Sequence, residues 1–135
     1  MKKILFLCVA NSARSQMAEG LAKNLLKQNT MVYSAGSNPS VVNPHAITVL
    51  QEIGIDISAN VSKSIQSFNL TDFDLIITLC AEEVCPFVNA KVEILHWPFP
   101  DPADKNDSAE EALKKFRKTR DQIKEKIKNY FNVNS

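Results

Sequence analysis

Residues 73–80, FDLIITLC, form an unbroken apolar run of strand length. A strand with one wet face alternates apolar and polar residues, so a run without alternation needs cover on both faces. Residues 3–8 (KILFLC) repeat the pattern, and residues 31–35 (MVYSA) and 92–97 (VEILHW) add two further strands. Between them, residues 13–28 carry Met17, Leu21 and Leu25 at helical spacing, with Ala18 and Leu26 beside them. Asn43-Pro44 predicts a capped helix start, and Gly54 ends that helix after about Ile53. A short helix is expected near 65–68. Ser108 and Glu111 have the spacing of a capping box at the head of a long helix over 108–131. Its apolar stripe is Ala112, Phe116, Ile123, Ile127 and Tyr130.

Strands that alternate with helices predict an α/β fold. The expected form is three-layered, a four-stranded parallel sheet of order 2-1-3-4 with helices on both faces. With no repeat, linker or low-complexity tract, residues 1–135 read as a single domain. The net charge is +1, so bulk charge points to neither nucleic acid nor membrane, and affinity for anions must be local. The N-terminal lysines and short apolar run are too brief for a signal peptide, and no run has the length of a membrane span. The expectation is a cytoplasmic monomer.

Order 2-1-3-4 places the switch point between the first and third strands, and ligands bind at the carboxyl ends beside such a crevice. Cys8 ends the first strand, Cys80 ends the third, and Asp101 follows the fourth by a short proline-punctuated loop. Nothing in the sequence separation brings these residues together; the topology does. The segment CVANSARS, residues 8–15, then becomes a loop feeding a helix. Unpaired N–H groups at a helix start, with the turns before them, make an anion cradle. Val9, Ala10, Asn11, Ser12, Ala13 and Arg14 are its expected lining. Arg14 adds a fork that grips two oxygens of a tetrahedral oxyanion. The same positive surroundings favour a thiolate at Cys8, and Ser15 can donate a hydrogen bond to its sulfur. Asn11 tolerates the left-handed backbone angles a tight loop needs.

CVANSARSQMAEG matches the Cys-x5-Arg-Ser loop of low-molecular-weight protein tyrosine phosphatases. With YSAG, NPHAI, GIDIS, TLC and HWPFPDPA, the chain resembles thioredoxin-coupled arsenate reductases built on that phosphatase fold, over about residues 3–120. The resemblance implies Cys8 as nucleophile, Arg14 as oxyanion clamp, Ser15 as thiolate partner and Asp101 as general acid. It implies no organic cofactor and no catalytic metal. In some members a potassium ion sits near the loop on Asn11, Glu19, Ser34 and an acidic residue. That acidic position falls on Lys63 here. Two readings stand, an ammonium in the ion's place or a solvated surface lysine.

Phosphate and arsenate are similar anions, so the cradle alone cannot choose between ester hydrolysis and reduction. Reduction to arsenite needs two electrons, which a pair of thiols supplies by forming a disulfide. The chain has three cysteines, Cys8, Cys80 and Cys85, an odd count unlike a secreted disulfide scaffold. Cys80 would attack the sulfur of the arsenic adduct on Cys8, and Cys85 would then attack Cys80. The Cys80–Cys85 disulfide is left for thioredoxin. Four residues separate these two cysteines, one fewer than in some members. Glu82 and Glu83 oppose thiolate formation nearby, which suits a resolving thiol. Arsenate is the expected substrate, with phosphate or sulfate as competing oxyanions and some residual phosphatase activity. Two rival functions remain, a tyrosine phosphatase and a non-enzymatic trap for arsenite or a thiophilic metal. His45 and His96 have no partner spacing for a metal or base role, and Trp97 and Phe99 are expected to pack the acid loop.

Overall fold

The structure is a computed structural model that describes residues 2–26, 29–81, 88 and 91–133. Four strands, β1 (Lys2–Cys8), β2 (Thr30–Gly36), β3 (Leu75–Thr78) and β4 (Glu93–His96), pair in parallel in the order β2-β1-β3-β4. Three α-helices connect and cover them: α1 (Arg14–Leu25), α2 (Pro44–Gln51) and α3 (Ala109–Phe131). The expected order and parallel sense are those of the molecule.

The unbroken apolar runs have the cause inferred for them. In β1, Ile4, Leu5, Phe6 and Leu7 have no exposed surface. Ile4 and Phe6 face a core shared with α1, α2 and α3, while Leu5 and Leu7 face a second core on the other side of the sheet. β3 divides likewise, Leu75 and Ile77 to the first core and Ile76 to the second. Successive side chains in a strand point to opposite faces, so two covered faces need an apolar residue at every position. Phe68, Phe73 and Tyr33 meet edge-on in the second layer. Among the described residues that layer holds two 3-10 turns, Ile65–Ser67 and Leu70–Asp72. The first is the short helix expected there. The second ends just before the FDLIITLC run, and β3 begins at Leu75, after Asp74 has met Lys3 through its N–H and its side chain.

Helix ends follow the sequence closely. Asn43 accepts from the His45 N–H at 2.8 Å, with Pro44 in the first turn. Ser108 and Glu111 close the capping box at the head of α3. The stripe on α3 departs at one end. Ala112, Phe116, Ile123 and Ile127 are buried, but Tyr130 is exposed and rests edge-on against Trp97. Thr119 and Arg120 fill the middle of the buried face instead. Arg120 donates to the Val49 carbonyl at 2.8 Å, and Arg117 grips Glu52 through two nitrogens. Those bonds tie α3 to the end of α2. The Arg117 hydrogen bond, with Arg120 behind it, holds the Glu52 carboxyl below the usual carboxylate range.

The core places the site. α1 is buried over Arg14–Ala22, most of its circumference, between the sheet and the other two helices. Its N-terminus therefore opens at the carboxyl ends of β1 and β3. No helix among the described residues is long and apolar enough to cross a membrane.

Candidate active site

Cys8 is the last residue of β1 and is 2% exposed. The loop behind it turns its carbonyls outward. Val9 O accepts from the Asn38 N–H at 2.8 Å, Ala10 O from the Ser40 N–H at 3.1 Å and the Ser62 hydroxyl at 2.8 Å, and Ser12 O from the Asn43 N–H at 3.0 Å. In a trans peptide the C=O and the following N–H point in opposite directions. The N–H groups of Ala10, Asn11 and Ala13 are therefore aimed inward, the arrangement of an anion cradle. Asn11 makes the reversal with a left-handed φ of 47°.

A cavity of about 180 Å³ opens over this loop, lined by Cys8, Ala10, Ser12, Ala13, Arg14, Ser40, Asp101 and Ala103. Of the six residues expected around an oxyanion, Ala10, Ser12, Ala13 and Arg14 line it, whereas Val9 and Asn11 do not. Asn11 is wholly buried and its side chain enters a polar network behind the sulfur. Arg14 donates to the Phe99 carbonyl at 2.9 Å, and its second terminal nitrogen lies 3.9 Å from the Asp101 carboxylate. One guanidinium thus joins the loop to the segment bearing Asp101. Asp101 is held by the Ala103 N–H at 3.0 Å, and its side chain is 45% exposed, so it can exchange protons with water. Trp97 and Phe99 support that segment as expected, with Trp97 tilted against Phe6 and the Phe99 N–H donating to Leu79 O.

The Ser15 hydroxyl lies 2.8 Å from the Cys8 sulfur. It also accepts from the Asn11 amide at 2.8 Å, and against a thiolate, which carries no proton, it is the donor of the pair. Behind it, Asn11 donates to Ser34, Ser34 donates to Glu19, and Glu19 is 3% exposed. Lys63 Nζ stands 3.5 Å from Glu19 and donates to Val61 O at 3.0 Å. Lys23 takes the other Glu19 oxygen at 2.8 Å. Lys63 thus places its ammonium beside the buried Glu19 carboxylate. A potassium ion does not fit here, because the one buried carboxylate is already neutralised by two lysines. Activity is accordingly expected to be equal in potassium and sodium salts at matched ionic strength; a rate that rises with potassium alone would contradict this.

Cys80 lies two residues past β3 and is 1% exposed. The register pairs Leu7 with Thr78, and the Leu79 N–H donates to Leu7 O at 2.9 Å, so Leu79 neighbours Cys8. Cys80 is thus one residue beyond the nucleophile's neighbour on the adjacent chain. It is disulfide-bonded, while Cys8 is a free thiol. Cys85, Glu82 and Glu83 lie outside the described residues. His45 packs on Phe116, and His96 pairs with the Thr78 hydroxyl at 2.7 Å.

Sequence reasoning missed several residues that build the site. Ser40 lines the cavity from a loop with no motif of its own, and Ala103 lines it from the end of the HWPFPDPA segment, where Asp101 alone is an expected site residue. Gly36, which ends the YSAG segment, sits where a Cβ would lie 2.3 Å from Val9 O. Gln16 and Asn60 complete the network behind Asn11. Gln16 had one available signal: a polar residue in a helix that is buried nearly all round must find partners.

Residues 3–134 match the model of the low molecular weight phosphotyrosine protein phosphatase family. The arsenate reductase of Halalkalibacterium halodurans is 46% identical over 131 residues, 96% of this chain and 94% of that protein. Among solved structures, an arsenate reductase in the phosphate binding state superposes with a TM-score of 0.81 at 38% identity, covering 98% of both chains. A thioredoxin-dependent arsenate reductase of Corynebacterium glutamicum superposes with a TM-score of 0.66 at 26% identity, covering 96% of this chain and 63% of that one.

Proposed function

The chain belongs to the low molecular weight phosphotyrosine protein phosphatase family, among its arsenate reductases, and from that membership we propose that it reduces arsenate to arsenite through Cys8, Cys80 and Cys85, recycled by thioredoxin. The observation that carries the reading is one cavity that holds a free Cys8 thiol, the Arg14 guanidinium and the Asp101 carboxylate together.

Arsenate enters the cradle, where inward N–H groups and Arg14 balance its charge. The Cys8 thiolate, with the Ser15 proton on it, attacks arsenic, and Asp101 protonates the oxygen that leaves as water. Cys80 attacks the Cys8 sulfur. The S–S bond forms as the S–As bond breaks, its electron pair stays on arsenic, and arsenite departs. Cys85 then attacks Cys80 and frees Cys8, and thioredoxin reduces the Cys80–Cys85 disulfide. Each cycle takes two electrons from one pair of thiols and passes the debt to the next. Arg14, Ser15 and the loop residues Val9, Ala10, Asn11, Ser12 and Ala13 hold the anion and the thiolate in place. The protein works in the cytoplasm as a monomer, where a reducing thiol pool keeps Cys8 available.

The cavity lining supports an inorganic anion over an aryl ester, since among the described residues its walls are Ala10, Ser12, Ala13, Ser40 and Ala103 with no aromatic ring. Phosphate and sulfate compete for the cradle, and slow phosphatase activity persists because Cys8, Arg14 and Asp101 suffice for it. A simple trap for arsenite has no need of Asp101 or Arg14. Reduced thioredoxin mixed with the protein is expected to oxidise continuously on adding arsenate, with aryl phosphate hydrolysis on the same sample much slower. Steady ester hydrolysis with no arsenate-dependent oxidation would make it a phosphatase. A stoichiometric thiolate complex without turnover would make it a trap.

A further inference from the structure

The hydrogen bonds behind Cys8 run in one direction, and the residue that sets it is Gln16, which neither touches the cavity nor belongs to the Cys-x5-Arg-Ser loop. Gln16 has no exposed surface. Its amide nitrogen donates to the Val61 carbonyl at 3.0 Å, to Asn11 Oδ1 at 2.8 Å and to the Asn11 carbonyl at 3.3 Å. A backbone carbonyl can only accept, so the two main-chain partners fix which end of Gln16 carries the NH2. Its Oε1 accepts from Asn60 Nδ2 at 3.1 Å.

Asn11 is oriented in the same manner. The Lys63 backbone N–H, 2.8 Å away, can only donate to it. Asn11 Oδ1 therefore faces Lys63 and Gln16, and Nδ2 faces Ser15 Oγ at 2.8 Å and Ser34 Oγ at 2.9 Å. Ser15 accepts from Asn11 on one lone pair, which keeps its hydroxyl beside the sulfur, and once Cys8 is a thiolate the Ser15 proton is the one between them. A hydrogen bond donated to a sulfur favours its charged form. Gln16 also pins the Asn11 carbonyl, on the residue whose left-handed backbone is disfavoured for anything but glycine or a short polar side chain.

We propose that Gln16 is a positioning residue for the nucleophile, its amide bracing Asn11 together with the Lys63 N–H so that Asn11 holds the Ser15 hydroxyl in place to donate to the Cys8 thiolate. The inference rests on Cys8 being the nucleophile. Removing the Gln16 amide takes one of the two donors from Asn11 Oδ1 and the tie from the Asn11 carbonyl. Asn11 Oδ1 then keeps only the Lys63 N–H, and the amide is held less firmly against Ser15.

The test uses Cys80→Ser and Cys85→Ser as background, which leaves Cys8 as the single thiol of a chain with three cysteines. In that background Gln16→Met, which keeps the bulk, is expected to slow iodoacetamide alkylation of Cys8 at neutral pH about tenfold. In the full chain the same substitution is expected to lower kcat for arsenate about tenfold while KM stays within about threefold, since Gln16 does not line the cavity. A purely structural role would lower the melting temperature and leave the alkylation rate of the folded protein unmoved. Alkylation and kcat within about twofold of the parent would overturn the proposal. Should Gln16→Met fail to fold, Asn60→Ala removes the bond to Gln16 Oε1 and a long one of 3.5 Å to Glu19 and is expected to slow alkylation by a smaller factor, about threefold; an unchanged rate there overturns the proposal equally. A parent whose Cys8 alkylates no faster than free cysteine would instead bring down the assignment of the nucleophile, and this proposal with it.

Discussion

Cys80→Ala is expected to stop arsenate turnover, lowering the steady rate by at least about 10⁴-fold, while hydrolysis of an aryl phosphate continues at the parent rate. The two chemistries share Cys8, Arg14 and Asp101, which line one cavity. They part at the second step. Hydrolysis of a phosphocysteine needs water, whereas release of arsenite needs a second sulfur to take over the bond to Cys8. Cys80 is the sulfur one residue beyond the chain neighbour of Cys8. The substitution leaves a small gap in a site that is 1% exposed, at a cost of about 1 kcal/mol or more, so a melting curve taken alongside separates lost chemistry from lost fold. Continued arsenate turnover in a folded Cys80→Ala protein would remove Cys80 from the mechanism.

Gly36→Ala is expected to lower kcat/KM for arsenate about 100-fold, although Gly36 touches neither substrate nor nucleophile. A Cβ at Gly36 would lie 2.3 Å from Val9 O, 2.8 Å from Asn11 N and 2.9 Å from Val9 C. All three are backbone atoms of the cradle, and none can rotate away as a side-chain tip could. Gly36 is also register partner to Cys8 and donates its N–H to Lys63 O, so β2 cannot retreat without breaking the sheet at the nucleophile. The loop must move instead, and shifts near 1 Å cost orders of magnitude in a positioned reaction. Gly54→Ala is the matching control. Its φ of 81° makes alanine strained, but nothing lies within 4 Å of the added carbon. That variant should melt earlier and keep parent activity. If Gly36→Ala retained parent kcat/KM, the close approach would have no catalytic weight.

What the sequence disclosed and what it withheld follow from the range of the interactions involved. The strands of the sheet interior were legible because burial on both faces leaves an apolar run with no alternation. Helix starts were legible because a cap is made by residues a few positions apart, Asn43 with His45 and Ser108 with Glu111. Cys8 and Arg14 were legible because a cradle at a helix start needs a short loop of small residues, and that too is local. Tyr130 was misplaced because the helical stripe continues to it, while packing does not: Trp97 offers only a ring edge at the end of the sheet. Lys63 stayed ambiguous because its partner Glu19 is 44 residues away. Asn60 and Gly36 carried no site signal because their partners come from other segments, and Gln16 carried only that of a polar residue in a buried helix. Only the folded chain brings Val61 over α1 and the loop over β2.

The most direct measurement of the central claim is a single turnover of a Cys85→Ser protein with arsenate and no reductant, quenched with acid and alkylating agent and mapped by mass spectrometry. The mechanism predicts one arsenite released per chain and a peptide containing Cys8 joined by a disulfide to the peptide containing Cys80. Release of arsenite with both of those thiols recovered alkylated, or no arsenate-dependent linkage at all, would contradict it.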